Sequence, residues 1–194
     1  MNNQIWNNEN VYKALFFATE KHKYQLMKYP ESVPYSAHFT GVMLTALKYA
    51  LLMNEKIDFE LLCSVALLHD TIEDCDVSYE TIKDKFGESI ANGVLALSKS
   101  KDQSIDKEKR MKDSIKRIKK QPKEIALVKL ADRLFNVRCT VPTWSKEKSL
   151  QYKAEAQMIC DELGYACEPL RKDLQEYINK YARVFEEESY GNNF

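Results

Sequence analysis

The chain has 194 residues, of which 44% are hydrophobic and 30% are charged, so it can bury one substantial core. Lys plus Arg and Asp plus Glu number 29 each, and this balance gives no reason to expect binding to DNA, RNA or an anionic membrane surface. The five cysteines are scattered and form no CxxC pair, which argues against a disulfide framework or a thiolate zinc site.

The sequence contains no pattern typical of a targeting or membrane segment. The N-terminal MNNQIWNNEN has neither a cationic start nor an apolar stretch, and the longest apolar run, 42–53, is short and carries Lys48. We therefore expect a cytoplasmic protein without a membrane partner. We expect one domain over residues 1–194, and no pattern indicates an oligomer.

Apolar residues recur at spacings of three and four, with five Gly and five Pro in the whole chain. No alternating run is long enough to demand a sheet, so the sequence predicts an all-α, single-domain helical bundle. The predicted helices lie at 11–27, 36–53, 59–69, 78–86, 88–97, 99–120, 123–138, 146–163 and 168–188. The acidic, Asn-rich tail after them is predicted to fray.

Some details of these helices can be predicted. Asp58 and Ser78 are candidate N-caps, and Gly87 is a candidate helix end. The stretch 99–120 mixes acids among its bases, which favours a solvated outer helix over a nucleic-acid surface. The residues expected in the core of the second and the 146–163 helices are Val42, Met43, Leu44, Leu47, Leu51, Leu150, Ala154 and Ile159.

The stretch HDTIED (69–74) follows the apolar run LLCSVALL and brings one imidazole and three carboxylates beside the core. Such a set is costly to bury unless a cation lies among the charges. If the helix continues through the stretch, Glu73 falls one turn beyond His69 and Asp74 one turn beyond Asp70. The alternative is a helix C-terminus with solvated acids, which this spacing favours less than a metal site.

Two further helices carry groups that could join this stretch. His38 stands at the start of the second predicted helix, and Asp132 with Asn136 lies on one face of an otherwise apolar helix. Two imidazoles with Asp70 and Asp132 would form a mixed nitrogen and oxygen site for one divalent ion, with positions left for water and substrate. Such a site acidifies water and polarises a phosphoryl oxygen, while one of the later acids of HDTIED takes the proton.

Four motifs occur in a specific order: AxxxHxxQ (18–25), VPYSAH (33–38), HDTIED (69–74) and KLADRLFNVR (129–138). In this order they resemble the hydrolase domain of RelA/SpoT proteins, within the HD phosphohydrolase superfamily, and its single-domain form, the small alarmone hydrolases. The resemblance covers about residues 11–163 and leaves a helical extension beyond it. HD alone is a weak motif, whereas HDxxED followed by KLADRLxNxR is specific.

The resemblance implies a helical fold of the HD-domain type. It also implies hydrolysis of the 3′-diphosphate of the guanosine alarmones ppGpp and pppGpp, with release of pyrophosphate. The implied cofactor is one Mn2+ ion. The implied metal ligands are His38, His69, Asp70 and Asp132. The implied water-activating acids are Glu73 and Asp74. The implied substrate-binding residues are Lys28, Tyr35, Lys129, Asn136 and Tyr152.

One position departs from the family pattern. Where the family usually has a basic pair near the nucleotide base, this chain has Met27 followed by Lys28. An adenosine alarmone or another nucleoside phosphate is therefore an alternative substrate. A non-catalytic module that binds a nucleotide or a partner is an alternative of another class, and the intact set of ligands and acids argues against it.

Several residues allow a simpler interpretation. We interpret His22 as structural, because the metal set is complete without it. Lys129 and Arg133 fit solvated helix ends as well as phosphate contacts, and Tyr35 could serve packing alone. We assign Cys75 no catalytic role, because the sequence shows no nearby base for it.

Overall fold

The structure is a computed structural model that describes residues 8–102, 104–138 and 143–190. Within these ranges the chain is helical, and its extended pairing is limited to a bridge between Leu26 and Pro34. The all-α fold predicted from the periodicity is confirmed. The helices are α1 (Glu9–Lys21), α2 (Ser36–Ala50), α3 (Phe59–Leu68), α4 (Thr71–Asp74), α5 (Tyr79–Phe86), α6 (Glu88–Leu97), α7 (Lys107–Ile118), α8 (Lys123–Arg138), α9 (Lys146–Leu163), a 3-10 helix (Gly164–Ala166) and α10 (Glu168–Tyr190).

Helices α3 and α8 form the centre of the bundle. α3 packs against α1, α2, α6 and α8, and α8 also packs against α2, α9 and α10. Every residue from Leu61 to Leu68 is buried, as is every residue from Glu124 to Leu134. α8, which carries Asp132, and α3, whose end leads directly into His69 and Asp70, are therefore held on several sides by close packing.

After residue 53 the predicted helix boundaries are largely confirmed, except that the helix predicted at 99–120 begins only at Lys107. The side chain of Asp58 accepts a hydrogen bond from Leu61 N at 3.0 Å, and that of Ser78 accepts one from Thr81 N at 3.1 Å. Gly87 has a φ of 90° between α5 and α6, a conformation that favours glycine. The prediction for α8, 123–138, agrees with the structure. The tail residues 191–194 lie outside the described part of the chain.

The prediction that the first helix extends to residue 27 is wrong, because α1 ends at Lys21. Met27 N donates to Val33 O at 2.9 Å, and Tyr35 N donates to Gln25 O at 2.9 Å. These backbone groups pair across a loop instead of continuing the helix. The second helix likewise ends at Ala50, three residues earlier than predicted.

The HDTIED stretch contains a short break between two helices. α3 ends at Leu68, and α4 begins at Thr71, whose hydroxyl donates to Leu68 O at 2.7 Å. Asp74 N still donates to Asp70 O at 2.8 Å, so these two acids keep the predicted spacing of one turn. The helix is therefore interrupted within this stretch, but Asp70 and Asp74 still lie one turn apart.

The predicted inner faces of α2 and α9 are partly wrong. Val42 and Ile159 are buried as expected. Leu44, Leu51 and Leu150 are 56%, 67% and 48% exposed, and Ala154 is exposed as well. Each of these helices carries apolar residues on all of its sides, so the spacing of apolar residues does not define a single buried face.

The charged stretch before α8 supports the end of α6. The inner side of α7 is buried at Met111, Ser114, Ile115 and Ile118. Ser114 Oγ donates to Ala96 O at 2.9 Å, and Arg117 Nη2 donates to Ser98 O at 2.8 Å. These bonds satisfy carbonyls at the C-terminus of α6, where the chain continues into Lys99.

Candidate metal centre and active site

The predicted site residues lie around one open pocket. The pocket is bounded by the loop 22–35, the start of α2, the end of α3 with α4, Lys99, and α8 with the first turns of α9. His69 lies behind its surface and is buried. The predicted residues that line it are Lys28, Tyr35, His38, Asp70, Glu73, Asp74, Lys129, Asp132, Asn136 and Tyr152.

Four side chains converge at the base of the pocket, and we refer to His38, His69, Asp70 and Asp132 as the donor cluster. The Nε2 atoms of its two histidines are 3.3 Å apart, and Asp70 Oδ2 is 2.9 Å from His69 Nε2. Asp132 Oδ1 is 3.6 Å from His38 Nε2 and 3.9 Å from His69 Nε2. The sequence prediction that these four residues meet is therefore consistent with the structure.

His69 presents a defined nitrogen to the cluster. Its Nδ1 lies 2.8 Å from the carbonyl oxygen of Ala66, one turn earlier in α3. A carbonyl oxygen can only accept, so Nδ1 donates its proton there, and Nε2 faces the other donors. This arrangement fixes the orientation of a histidine that can bind a metal ion through Nε2.

The carboxylates of the donor cluster are stabilised in the ionised form. Burial alone would raise the pKa of Asp70, but the two histidines hold it well below its usual range. Burial likewise opposes ionisation of Asp132, and the nearby charge of Lys129 outweighs it and lowers the pKa. Burial would lower the pKa of His69, but Asp70 and Asp132 raise it to about 9. The four groups thus form a concentrated set of nitrogen and carboxylate donors that a divalent cation would satisfy.

Side chains on α8 hold Asp132 in place. Lys129 Nζ lies 3.0 Å from Asp132 Oδ2, and Asn136 Nδ2 donates to Asp132 Oδ1 at 2.6 Å. Lys129 and Arg133 are both buried, so the interpretation of these residues as solvated helix ends is wrong. Asn136 is one turn beyond Asp132, as the predicted spacing requires.

A glycine on α2 lets α8 approach closely. A Cβ at Gly41 would lie 2.1 Å from Cε2 of Phe135, so a larger residue would displace the ring. Gly41 follows His38 by one turn, and Phe135 follows Asp132 by one turn. The close contact between these two helices therefore brings the donors of His38 and Asp132 together.

Glu73 and Asp74, which we call the acid pair, have different partners among the residues that line the pocket. Lys99 Nζ is 2.8 Å from Glu73 Oε1, and Lys99 N donates to Glu73 Oε2 at 2.9 Å. One residue therefore binds both oxygens of Glu73. Burial would lower the pKa of Lys99, but Glu73 raises it above its ordinary value, so this lysine stays charged.

Asp74 is held differently. Gln25 Nε2 donates to Asp74 Oδ2 at 3.1 Å. Burial first, and then the negative charge of Asp70, raise the pKa of Asp74 above its usual value. Asp74 is therefore a stronger proton acceptor than an ordinary aspartate.

Tyr35 contacts the donor cluster directly. Its hydroxyl donates to Asp70 Oδ2 at 2.5 Å, and burial together with Asp70 raises the pKa of this tyrosine far above its ordinary value. The ring is tilted against His38, with centroids 4.9 Å apart. Tyr35 therefore orients a carboxylate of the cluster as well as lining the pocket.

An aromatic pair forms the outer wall of the pocket. Trp144 and Tyr152 are in edge-to-face contact, with ring centroids 5.1 Å apart. The guanidinium of Arg133 lies 4.3 Å from the Tyr152 ring centroid, on the buried side. Both rings are partly exposed and line the pocket, so this wall offers aromatic surface to a bound nucleobase.

The sequence interpretation missed several residues of the pocket. Gln25 was noted within a motif but assigned no contact, Met27 was noted only as a departure from the family's basic pair near the base, and the others were not considered. Lys99 lies in a charged stretch with no motif to distinguish it, and Trp144 lies in a connection between helices, so neither had a signal in the sequence. The missed lining residues are Gln25, Leu26, Met27, Tyr29, Lys99, Phe135 and Trp144.

His22 and Cys75 lie together behind the pocket. His22 is buried and is not among the donors that converge at its base, which agrees with its interpretation as structural. The statement that no base lies near Cys75 is wrong, because its Sγ is 3.5 Å from His22 Nε2. Burial and Asp74 raise the pKa of Cys75 to about 11, so the thiol remains protonated and has no nucleophilic character.

The fold and the donor cluster define the class of protein: an all-α protein with a mixed histidine and carboxylate site suited to one divalent ion. Of the helices in the described part of the chain, none combines the length and the apolar composition required to cross a membrane.

Comparison with known proteins identifies the family. Residues 14–165 match the model of the HD domain. The chain is 33% identical over 164 residues to guanosine-3′,5′-bis(diphosphate) 3′-pyrophosphohydrolase MESH1 of Danio rerio, covering 82% of this chain and 87% of that protein. It is 36% identical over 178 residues to guanosine-3′,5′-bis(diphosphate) 3′-pyrophosphohydrolase of Aquifex aeolicus, covering 89% of this chain and 24% of that longer protein.

A solved structure gives the same result. The structure of a metazoan ortholog of SpoT, described as hydrolysing ppGpp, superposes with a TM-score of 0.75 and 29% sequence identity. The match covers 90% of this chain and 97% of that one. The chain therefore belongs to the HD-domain family, in the group that includes MESH1, and the resemblance noted in the four motifs is confirmed.

Proposed function

We propose that this protein is a metal-dependent pyrophosphohydrolase that removes the 3′-diphosphate of (p)ppGpp-type alarmones to give GDP or GTP and pyrophosphate. The observation that carries the proposal is the meeting of the donor cluster and the acid pair at one pocket. The similarity to proteins named as ppGpp hydrolases supports the choice of substrate.

We assign the metal site to the donor cluster, with His38, His69, Asp70 and Asp132 as ligands and Mn2+ as the ion. The donor set supports this assignment, because two imidazoles and two ionised carboxylates converge. The hydrogen bond from His69 Nδ1 to Ala66 O turns Nε2 toward the other donors. A divalent ion bound there supplies Lewis acidity, which polarises a phosphoryl oxygen and acidifies water.

The acid pair divides its work in this proposal. Asp74 accepts the proton of the attacking water, which its raised pKa and its one hydrogen bond from Gln25 support. Glu73 orients that water and holds Lys99, because both of its oxygens already accept hydrogen bonds from this lysine residue. The water attacks the phosphorus bonded to the ribose 3′-oxygen, and its oxygen stays in the released pyrophosphate. The bond between that phosphorus and the 3′-oxygen breaks, and the 3′-oxygen leaves as the free hydroxyl with a proton from solvent, to which Asp74 returns the proton that it accepted.

The other pocket residues bind the nucleotide. Lys28 and Lys99 supply positive charge for the phosphates, and Asn136 contacts the ribose or phosphate region. Tyr152 provides a stacking surface for the base. Lys129 and Tyr35 line the same pocket and act mainly through the carboxylates to which they bond.

A second candidate substrate is the corresponding adenosine alarmone. The observation in its favour is Met27, an uncharged residue that lines the pocket. The family usually has a basic side chain at this position. A thioether discriminates between purines less strongly than a guanidinium that can donate several hydrogen bonds.

We further propose that the chain acts as a single domain, with an HD portion at about residues 11–163 and a helical extension, and that it works in the cytoplasm on a nucleotide rather than on DNA or RNA. The balance of 29 basic and 29 acidic residues supports this choice of partner, because no net positive charge favours a polyanion.

The experiment is product analysis by anion-exchange chromatography after incubation of the purified protein with ppGpp and Mn2+. The adenosine analogue is run alongside, and EDTA gives the metal-free control. We expect GDP and pyrophosphate. Cleavage of the adenosine compound alone would support the second candidate, and cleavage of neither would contradict the proposal and favour a binding module.

A matched pair of variants links turnover to the site. Asp132→Asn should abolish both metal binding and turnover, whereas Asp161→Asn, the same change at an exposed position on α9, should preserve both. Full turnover in Asp132→Asn would show that the reaction occurs elsewhere.

A further inference from the structure

The amide of Gln25 bridges two side chains on the wall of the pocket. Its Nε2 lies 3.1 Å from Asp74 Oδ2, and its Oε1 lies 2.6 Å from His22 Nδ1. An ionised carboxylate can only accept a hydrogen bond, so the amide nitrogen must face Asp74 and the amide oxygen must face His22. His22 therefore carries a proton on Nδ1 and donates it to Gln25.

The backbone of Gln25 is fixed as well as its side chain. Its N–H donates to His22 O at 2.9 Å, and its carbonyl accepts from Tyr35 N at 2.9 Å. Both bonds lie within the loop that replaces the predicted end of the first helix. The side-chain amide of Gln25 is consequently held by hydrogen bonds through both its nitrogen and its oxygen, on a backbone that is itself fixed, and it cannot rotate without breaking a hydrogen bond.

His22 supports more than Gln25. Its buried ring is stacked on Tyr35, with centroids 4.8 Å apart, and Tyr35 in turn donates to Asp70. One imidazole therefore lies behind two residues, of which one binds a carboxylate of the donor cluster and the other binds Asp74.

We propose that Gln25 is a positioning residue that directs Asp74 at the attacking water, and that His22 sets the orientation of the Gln25 amide. The inference rests on the proposed hydrolysis. Asp74 lines the pocket, and among the described residues its one hydrogen bond is made by Oδ2, so Oδ1 is left to accept one from water. This role accounts for the AxxxHxxQ motif, in which neither His22 nor Gln25 binds metal.

The first test is Gln25→Ala. Displacement of a catalytic group by about 1 Å can cost about 100-fold in rate, so we expect kcat to fall about tenfold to 100-fold while KM and metal content stay unchanged. Gln157→Ala is the matched control. The amide of Gln157 also bridges two side chains, at 2.8 Å from Asp161 Oδ1 and 2.8 Å from Gln175 Oε1, but it lies on α9 outside the pocket, and its kcat should equal that of the wild type.

The second test separates positioning from general structural support. If Gln25 acts through Asp74, adding Gln25→Ala to Asp74→Asn should cause no further loss of kcat, because the group that it orients has already been disabled. His22→Phe, which keeps a ring but removes the donor, should lower kcat by about tenfold. It should cause no additional loss in the Gln25→Ala background.

The outcomes distinguish the two proposals. An active wild type whose Gln25→Ala variant keeps full kcat overturns this inference alone, as does a double variant in which the losses at residues 25 and 74 multiply. A wild type that leaves ppGpp intact overturns the proposed function, and this inference falls with it.

Discussion

The donor cluster and the acid pair border the same pocket but are held in different ways. In the donor cluster, His38 and Asp132 lie on packed helices, and His69 and Asp70 directly follow the end of α3. Its members contact one another, with His69 Nε2 within 4 Å of all three partners. Each member of the acid pair is instead bound by a residue from a connecting segment: Lys99 after α6 for Glu73, and Gln25 after α1 for Asp74.

This difference indicates a division of labour. Helix packing fixes the cluster, as the close contact between Gly41 and Phe135 illustrates, so the cluster is suited to a fixed coordination geometry. Loops hold the acids, and two adjacent carboxylates thereby acquire distinct environments. Glu73 has both oxygens bound by a lysine residue, whereas Asp74 has one amide partner and a raised pKa.

The largest effect should follow from His69→Ala, which tests the role of the donor cluster in metal binding. It removes the nitrogen nearest to Asp70 and leaves the buried carboxylates without this partner, so both metal content and turnover should be lost. Metal analysis by mass spectrometry and an alarmone hydrolysis assay measure the two, with circular dichroism to show that the variant is folded. Retention of one metal ion per folded chain would contradict the assignment of this ligand.

Asp74→Asn should have the next largest effect. The amide cannot accept the proton of water, so kcat should fall by about 10³-fold, within the range for loss of a general base. Metal content should stay at the wild-type level, because Asp74 lies outside the donor cluster. Metal loss equal to that of His69→Ala would remove the distinction between the cluster and the acid pair.

Glu73→Gln tests whether the two acids differ. Glutamine keeps the shape but loses the charge that pairs with Lys99, so we expect a tenfold to 100-fold decrease in kcat, with metal content nearly intact. Steady-state kinetics of the two variants, measured side by side, decide the matter. A decrease as large as that of Asp74→Asn would show that the acids share one role.

Lys99→Met should have the smallest effect of the four. It removes the partner of Glu73 and one positive charge from the pocket, so KM should rise by about tenfold and kcat should fall less. Lys101→Met is the control, because Lys101 is exposed, pairs with Asp76 and does not line the pocket. If both variants raise KM equally, the effect comes from general charge and not from the bond to Glu73.

Much of the site could be predicted from the sequence because its key groups are costly in free energy to bury. A buried imidazole beside carboxylates needs a cation, and this requirement points to His69, Asp70 and Asp132 on the strength of residue types and spacing alone. Helical spacing also predicts that Asn136 and Asp132 share a face, and their hydrogen bond of 2.6 Å agrees. The helical fold follows from the periodicity for a similar reason, since one physical rule acts along the whole chain.

The remaining contacts depend on the path of the loops, which spacing does not encode. The pattern from residue 11 to 27 is helical in its side chains, yet the backbone of Gln25 pairs with Tyr35 instead. Lys99 reaches Glu73 because α7 holds the end of α6, a tertiary effect that no local pattern reports. Exposed Leu44 shows the same limit, because an apolar residue on a helix need not face the core.

The most direct test of the central claim is hydrolysis of ppGpp by the wild-type protein in ¹⁸O-labelled water, with both products analysed by mass spectrometry. If water attacks the phosphorus next to the ribose 3′-oxygen, one ¹⁸O atom should appear in pyrophosphate and none in GDP. Label in GDP, or release of orthophosphate in place of pyrophosphate, would contradict the account.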